Sequence, residues 1–240
     1  MFTWTDDAIR WYRTAAEKTE FFKRLTDKLA PFLPKEETVC DLGCGPGHLA
    51  LELAARGYRV TALDASREAI AWLQTEKDRR CWEQPFIRCE DWNQLEGLPL
   101  WDNVVMVCAG RRTELSFLRK LCRKRLIIVD RVACRSHVRT DGGNSAHCRS
   151  VSVLRRYEKL AVARLSAFRL EFGQPLRSLA DAEAYVRFFG GQCGGAVARG
   201  LIATDDKVYP WYFPYAKELE AFVLPSFWAE KEEEMTECIH

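Results

Sequence analysis

No apolar run in this 240-residue chain approaches the roughly 18 residues that a membrane-crossing helix requires. The longest candidates, 103–109 and 126–129, have the length of strands. The first residues, Met1 to Asp7, hold neither the basic stretch nor the apolar stretch of a secretory leader. These absences set a membrane partner aside and lead to the expectation of a cytoplasmic protein. The chain also lacks a dominant charge: the net value is +2, so a nucleic acid or anionic surface would need a local basic patch. The ten cysteines include no C-x-x-C pair; the spacings run Cys40/Cys44, Cys81/Cys89 and Cys134/Cys148. Zinc and iron–sulfur sites are usually built on such pairs, so no metal is expected. Cys40 and Cys108 instead read as small apolar strand residues.

What is present is ordinary for a globular chain, 48% hydrophobic and 29% charged, with no internal repeat and no low-complexity linker. Residues 5–30 have helical apolar spacing, capped by Thr5 and stopped by Pro31 and Pro34. Strands are predicted at 38–42, 58–63, 86–89, 101–108 and 125–130. Helices fall between them, at 48–56, from Ser66 to Lys77 and at 113–123. Strand–helix alternation over a hundred residues argues for an α/β fold with a doubly wound, mostly parallel sheet. After Asp130 the rhythm breaks. A polar loop is predicted over 131–150, helices over 151–170 and 178–189, a hairpin from 196–203 and 207–213, and a last helix near 217–223.

The first strand runs into Asp41-Leu42-Gly43-Cys44-Gly45-Pro46-Gly47 and then a helix. A strand, a glycine turn and a helix bind nucleotides and nucleosides at the carboxyl ends of doubly wound sheets. The NAD-type pattern needs a sixth-position glycine, and His48 stands there. Asp41 would repel a pyrophosphate and suit a cationic ligand. Asp64, which closes the second strand, can accept both hydroxyls of a ribose. Asp91 and Trp92 follow the third strand, where a carboxylate and an indole suit an adenine. The alternatives are a plain tight turn for Gly43, Gly45 and Gly47, an N-cap for Asp64, and core packing for Trp92, Trp11 and Tyr12.

These segments resemble the class I S-adenosylmethionine (SAM)-dependent methyltransferases. Residues 39–47 look like their first motif, 62–66 like the acidic motif of the second strand, 89–92 like the adenine-contact motif and 101–108 like the fourth. The resemblance implies a Rossmann-like, seven-stranded sheet with one late antiparallel strand, expected in the hairpin near 200–210. It implies SAM as cofactor and S-adenosylhomocysteine (SAH) as product. Asp41 would orient the ligand amine, Gly43 and Gly45 would let the backbone approach the methionyl part, and Cys44, Gly47 and His48 belong to the same cofactor-binding set. Asp64 would hold the ribose; Ala65, Asp91 and Trp92 would frame the adenine. Cys108 would lie where sulfonium and acceptor meet, with Tyr12 in a lid. Residues 108–111, Cys-Ala-Gly-Arg, lack the Asn/Asp-Pro-Pro-aromatic signature of amino-group DNA and protein-glutamine methyltransferases.

The expected organisation is a single domain: an N-terminal helical lid (1–35), a SAM-binding half (36–130), a helical insertion serving as substrate cap (131–177), and a C-terminal helix and strand pair (178–240). The cap holds ten basic residues against three acidic ones. It would bind an anionic small molecule through arginine forks, or RNA, or simply pair with the acidic tail. No single base is readable; Tyr12, His137 and His147 are the candidates. A small-molecule acceptor is the leading expectation; the alternatives are an RNA methyltransferase using the basic 131–177 surface and a SAM-binding protein without turnover.

Overall fold

The first helix begins where its cap was expected. In the computed structural model, which describes residues 2–98, 100–109, 115–132, 157, 159–189 and 200–227, Thr5 Oγ1 accepts the Ala8 N–H at 3.2 Å. It caps α1 (Asp6–Lys18), whose first turn carries Asp6 and Asp7 toward the positive end of the helix dipole. Next comes α2 (Phe21–Leu29), with Phe21, Leu25 and Leu29 fully buried. The alternating stretch is β1 (Thr38–Leu42), α3 (His48–Ala55), β2 (Arg59–Asp64), α4 (Arg67–Arg79), β3 (Phe86–Cys89), β4 (Trp101–Val107), α5 (Leu115–Lys120) and β5 (Cys122–Arg131). Cys122 and Arg123, read as the end of a helix, open this last strand.

The remaining elements are β6 (Ala163–Glu171), β7 (Gln174–Leu176), α6 (Leu179–Phe188), β8 (Ile202–Ala203), β9 (Trp211–Phe213) and β10 (Ala216–Pro225). Seven strands form one sheet in the order β3-β2-β1-β4-β5-β10-β6. β1 pairs in parallel with both β2 and β4. β10 runs antiparallel to both of its neighbours, so it alone opposes the others. This is the expected mostly parallel sheet with one late antiparallel strand. Strand order reverses between β1 and β4, and ligands of such sheets bind at that crevice. Alternate residues feed the two faces: Val105, Ile127 and Val129 pack with Leu25 and Leu53, while Val104, Met106 and Ile128 pack with Leu63 and Leu118.

Three expectations are corrected. The antiparallel strand is not in the hairpin near 200–210: β8 and β9 pair with each other, and β9 with β7, in a separate three-stranded sheet. The predicted helix near 217–223 is β10. Its Lys, Glu, Leu and Ala favour helices, but two neighbouring strands satisfy its backbone and bury residues 219–224. The helical spacing over 151–170 is strand from Ala163 onward. Phe168 pairs with Leu219 and Leu165 with Ala221, so β6 carries one extra residue there. That bulge sets two half-buried apolar residues three apart, which imitates a helical face. Residues 151–156 lie outside the described ones.

α1 is tied to α6 by one carboxylate. Asp181 accepts from Arg10 Nη2 at 2.7 Å, Trp11 Nε1 at 2.9 Å and the Arg177 amide at 2.9 Å. Burial works to raise its pKa, but these donors outweigh burial and hold the carboxylate below its ordinary range. Asp181→Ala leaves the buried Trp11 N–H unpaired, and should cost about 2–3 kcal/mol. Denaturant unfolding measures this; a change within ~0.5 kcal/mol would show that the tie contributes nothing.

Candidate functional site

The site is built at the carboxyl ends of β1, β2 and β4. Beyond β1 the chain turns through Gly43, Gly45 and Gly47 at φ +74°, +54° and +71°, a region costly for any residue with a Cβ. The Gly43 and Cys44 amides donate to Leu63 O at 2.8 and 3.1 Å, which lashes the turn to the end of β2. Asp64 completes the lashing: Oδ2 accepts the Gly45 amide at 2.8 Å and Oδ1 the Ser66 amide at 2.8 Å. Side chains close over the glycines. A Cβ on Gly43 would lie 2.8 Å from both Ala109 Cβ and Trp92 Cζ3, and one on Gly45 would lie 2.6 Å from Trp4 Cζ2. On Gly47 it would lie 2.4 Å from Leu73 Cδ2 of α4.

Asp41 is buried behind the turn, where Oδ2 accepts the Ala50 amide of α3 at 3.1 Å. Burial pushes its pKa up to about 7; the Ala50 amide works against that shift and the Asp64 charge adds to it. Burial also raises the Cys44 thiol well above its ordinary value, so it is an unreactive thiol. His48, in the first turn of α3, is an aromatic packing residue. Its ring lies 5.7 Å from Phe22, 5.0 Å from Trp72 and 5.6 Å from Tyr12. Its Nε2 has no hydrogen-bond partner among the described residues, and burial drives its pKa down to about 3. A neutral imidazole thus fills the space between helices that a glycine there would leave open.

Tyr12 joins this turn to the far side of the crevice. Its ring meets Trp4 at 5.2 Å, His48 at 5.6 Å and Phe172 at 5.2 Å. Burial raises its hydroxyl pKa, and the nearby Cys108, Asp41 and Cys44 raise it further. Cys108 follows β4 at φ +52°, its amide donating to Val129 O at 2.8 Å. The structure therefore brings Asp41, Gly43, Cys44, Gly45, Gly47, His48, Asp64, Trp92, Cys108 and Tyr12 together. Ala65 sits half-buried between Asp64 and Ser66. The Asp91 carboxylate caps the short turn Trp92–Gln94, its Oδ1 accepting from the Asn93 amide at 3.0 Å and from Asn93 Nδ2 at 2.8 Å. His137 and His147 lie outside the described residues. Trp4, Ala109, Phe172, Arg131 and Lys217 were not anticipated. Only the aromatic character of residues 2–4 hinted at the first, and Lys217 was read as part of a helix.

The described residues hold no group of His, Cys, Asp and Glu suited to a metal, and no helix long and apolar enough to cross a membrane. Residues 12–123 match a family model described as a methyltransferase domain. That match covers less than half of this chain. The chain's fold is the Rossmann-like one of the class I SAM-dependent enzymes. YqeM of Bacillus subtilis (strain 168), whose name assigns it provisionally to the methyltransferases, is 29% identical over 77 residues, or 32% of this chain and 30% of YqeM. The match thus spans less than a third of that relative. Magnesium protoporphyrin IX methyltransferase from Synechocystis PCC 6803, solved with bound SAM, superposes at a TM-score of 0.50 with 18% identity, covering 92% of this chain and 86% of that one. A protein of Pyrococcus horikoshii, named provisionally as an RNA methyltransferase, superposes at 0.52 with 14% identity, covering 94% and 91%. At such identities this chain shares the fold with both, and the acceptor is a separate question.

Proposed function

We propose that the chain binds SAM across the β1–β4 crevice and transfers its methyl group to a small-molecule acceptor. The observation that carries this reading is the turn at 43–47, with three left-handed glycines and Asp64 bonded directly to its middle amide. SAM supplies an electrophilic methyl on a sulfonium. The residues fit such a ligand. Gly43 and Gly45 lack the Cβ that would keep Trp92 and Trp4 off the turn, and the Trp92 indole lies against Gly43 as an adenine platform would. Asp64 already accepts two amides, yet a carboxylate has lone pairs left for ribose hydroxyls. Asp41 places a buried acidic group behind the turn, where a cationic amine is favoured.

A small acceptor suits the surroundings of Cys108 better than a polynucleotide does. The rings of Tyr12 and Phe172 wall the crevice. One described cation of the basic segment is already engaged, since Arg164 pairs with Glu220. Calorimetry with SAM and SAH tests the reading. Both should bind in the micromolar range, and failure of both to bind would sink it. Retention of bulk tRNA or rRNA in a gel at low salt, lost at high salt, would replace the small acceptor with RNA.

A further inference from the structure

β10 runs against β5, so its first residues return to the crevice edge, with Leu219 opposite Arg131. Lys217 stands there, only 9% exposed. Its Nζ lies 3.6 Å from the ring centroid of Phe172, 4.8 Å from that of Phe21 and 5.6 Å from that of Tyr12. Ring faces attract a desolvated cation, but they carry no net charge to neutralise it as a carboxylate does. Among the described residues no carboxylate pairs with it. Glu218 is exposed, Glu220 pairs with Arg164, and Glu171 binds the Tyr212 hydroxyl. The titratable and charged groups facing it are Tyr12 from α1, Cys108 after β4 and Arg131 from β5, while α2 contributes only the Phe21 ring. Burial pulls its pKa down to about 8; Cys108 opposes that shift and Arg131 adds to it.

A buried ammonium with no counter-charge among the described residues, set beside the place proposed for a sulfonium, is unstable against losing its proton. We propose that Lys217 is the proton-accepting residue of this site, standing as the neutral amine when SAM is bound and taking the proton that the methyl acceptor sheds. This rests on the cofactor reading above. In the transfer, the acceptor's lone pair forms the new bond to carbon and the carbon–sulfur pair stays on sulfur. The acceptor's X–H bond breaks, its electron pair remaining on X, and its proton passes to the lone pair of Nζ. The ammonium then returns the proton to water as product leaves.

Calorimetry of the full chain at pH 7, in buffers of differing ionisation enthalpy, counts the protons exchanged on binding. SAM and SAH differ by the methyl and the sulfonium charge, so their difference isolates the amine's response. SAM binding should release close to one proton, about 0.9 for a group titrating near pH 8, and SAH clearly less. SAM affinity should rise about fivefold from pH 7 to pH 8, and the proton difference should vanish by pH 9.5. Lys217→Met, which keeps the apolar bulk, should abolish both effects. Lys217→Arg, locked as a cation, should weaken SAM at every pH and spare SAH. Equal proton release for the two ligands in the wild type overturns the proposal, as does a difference that persists in Lys217→Met. Both results leave the cofactor reading standing. If neither ligand binds the wild type, that reading falls and takes this one with it. Should Lys217→Met fail to fold, the wild-type proton count alone decides.

Discussion

Replacing Asp64 by alanine is expected to weaken SAM and SAH binding by about 1–3 kcal/mol, a loss of roughly fivefold to two-hundredfold in affinity. Two causes act together. The carboxylate is proposed to hold the ribose, and it also accepts the Gly45 and Ser66 amides at 2.8 Å each, so its loss both removes a ligand contact and releases the middle of the turn. Asp64→Asn separates these causes. The amide keeps one acceptor for the turn but loses the charge, so its unfolding temperature should stay near that of the wild type while its affinity falls part of the way. Calorimetry paired with thermal unfolding reads both. Unchanged affinity in Asp64→Ala refutes the ribose role, even if the variant melts earlier.

Gly47→Ala should destabilise the fold by about 2–5 kcal/mol. A left-handed φ costs an alanine roughly 1–2 kcal/mol. A Cβ at this position also meets three atoms of the fully buried Leu73 side chain within 2.9 Å, and overpacking of that kind costs roughly 1–3 kcal/mol. Gly57 is the matched control. Its φ is +82°, but nothing lies within 4 Å of a Cβ there, so Gly57→Ala carries the backbone strain alone. Urea unfolding of the two variants therefore isolates the packing term. Equal losses would show that Leu73 yields freely and that the α3–α4 contact is looser than its distances indicate.

Both experiments address a turn that was legible in the amino-acid sequence, because its requirements are local. A glycine is needed wherever φ is positive and a backbone must stay open, and a carboxylate two residues upstream or at the end of the next strand is a matter of spacing. The same holds for the parallel half of the sheet, where near-continuous apolar runs between capped helices leave few other solutions. At Asp91 the local signal is shared: an aspartate one residue before a short turn is as good a cap as it is a ligand contact, and here its Oδ1 accepts from Asn93.

The rest was decided by tertiary structure. β10 is composed of helix formers and becomes a strand because β5 and β6 pair with it on both sides. β6 disguises itself by a bulge that exists only in register with β10. Asp181 ties α1 to α6 across 170 residues of chain, counted from Trp11. Lys217 reaches the crevice only because β10 runs antiparallel, and it is surrounded by rings from α1, from α2 and from the segment after β6. Backbone conformation and apolar period are properties of neighbouring residues, so the chain by itself determined the glycine turn and the five strands that carry it. Pairing partners, counter-charges and burial are properties of residues far apart, so only the folded molecule decided which strand closes the sheet and which amine faces the site.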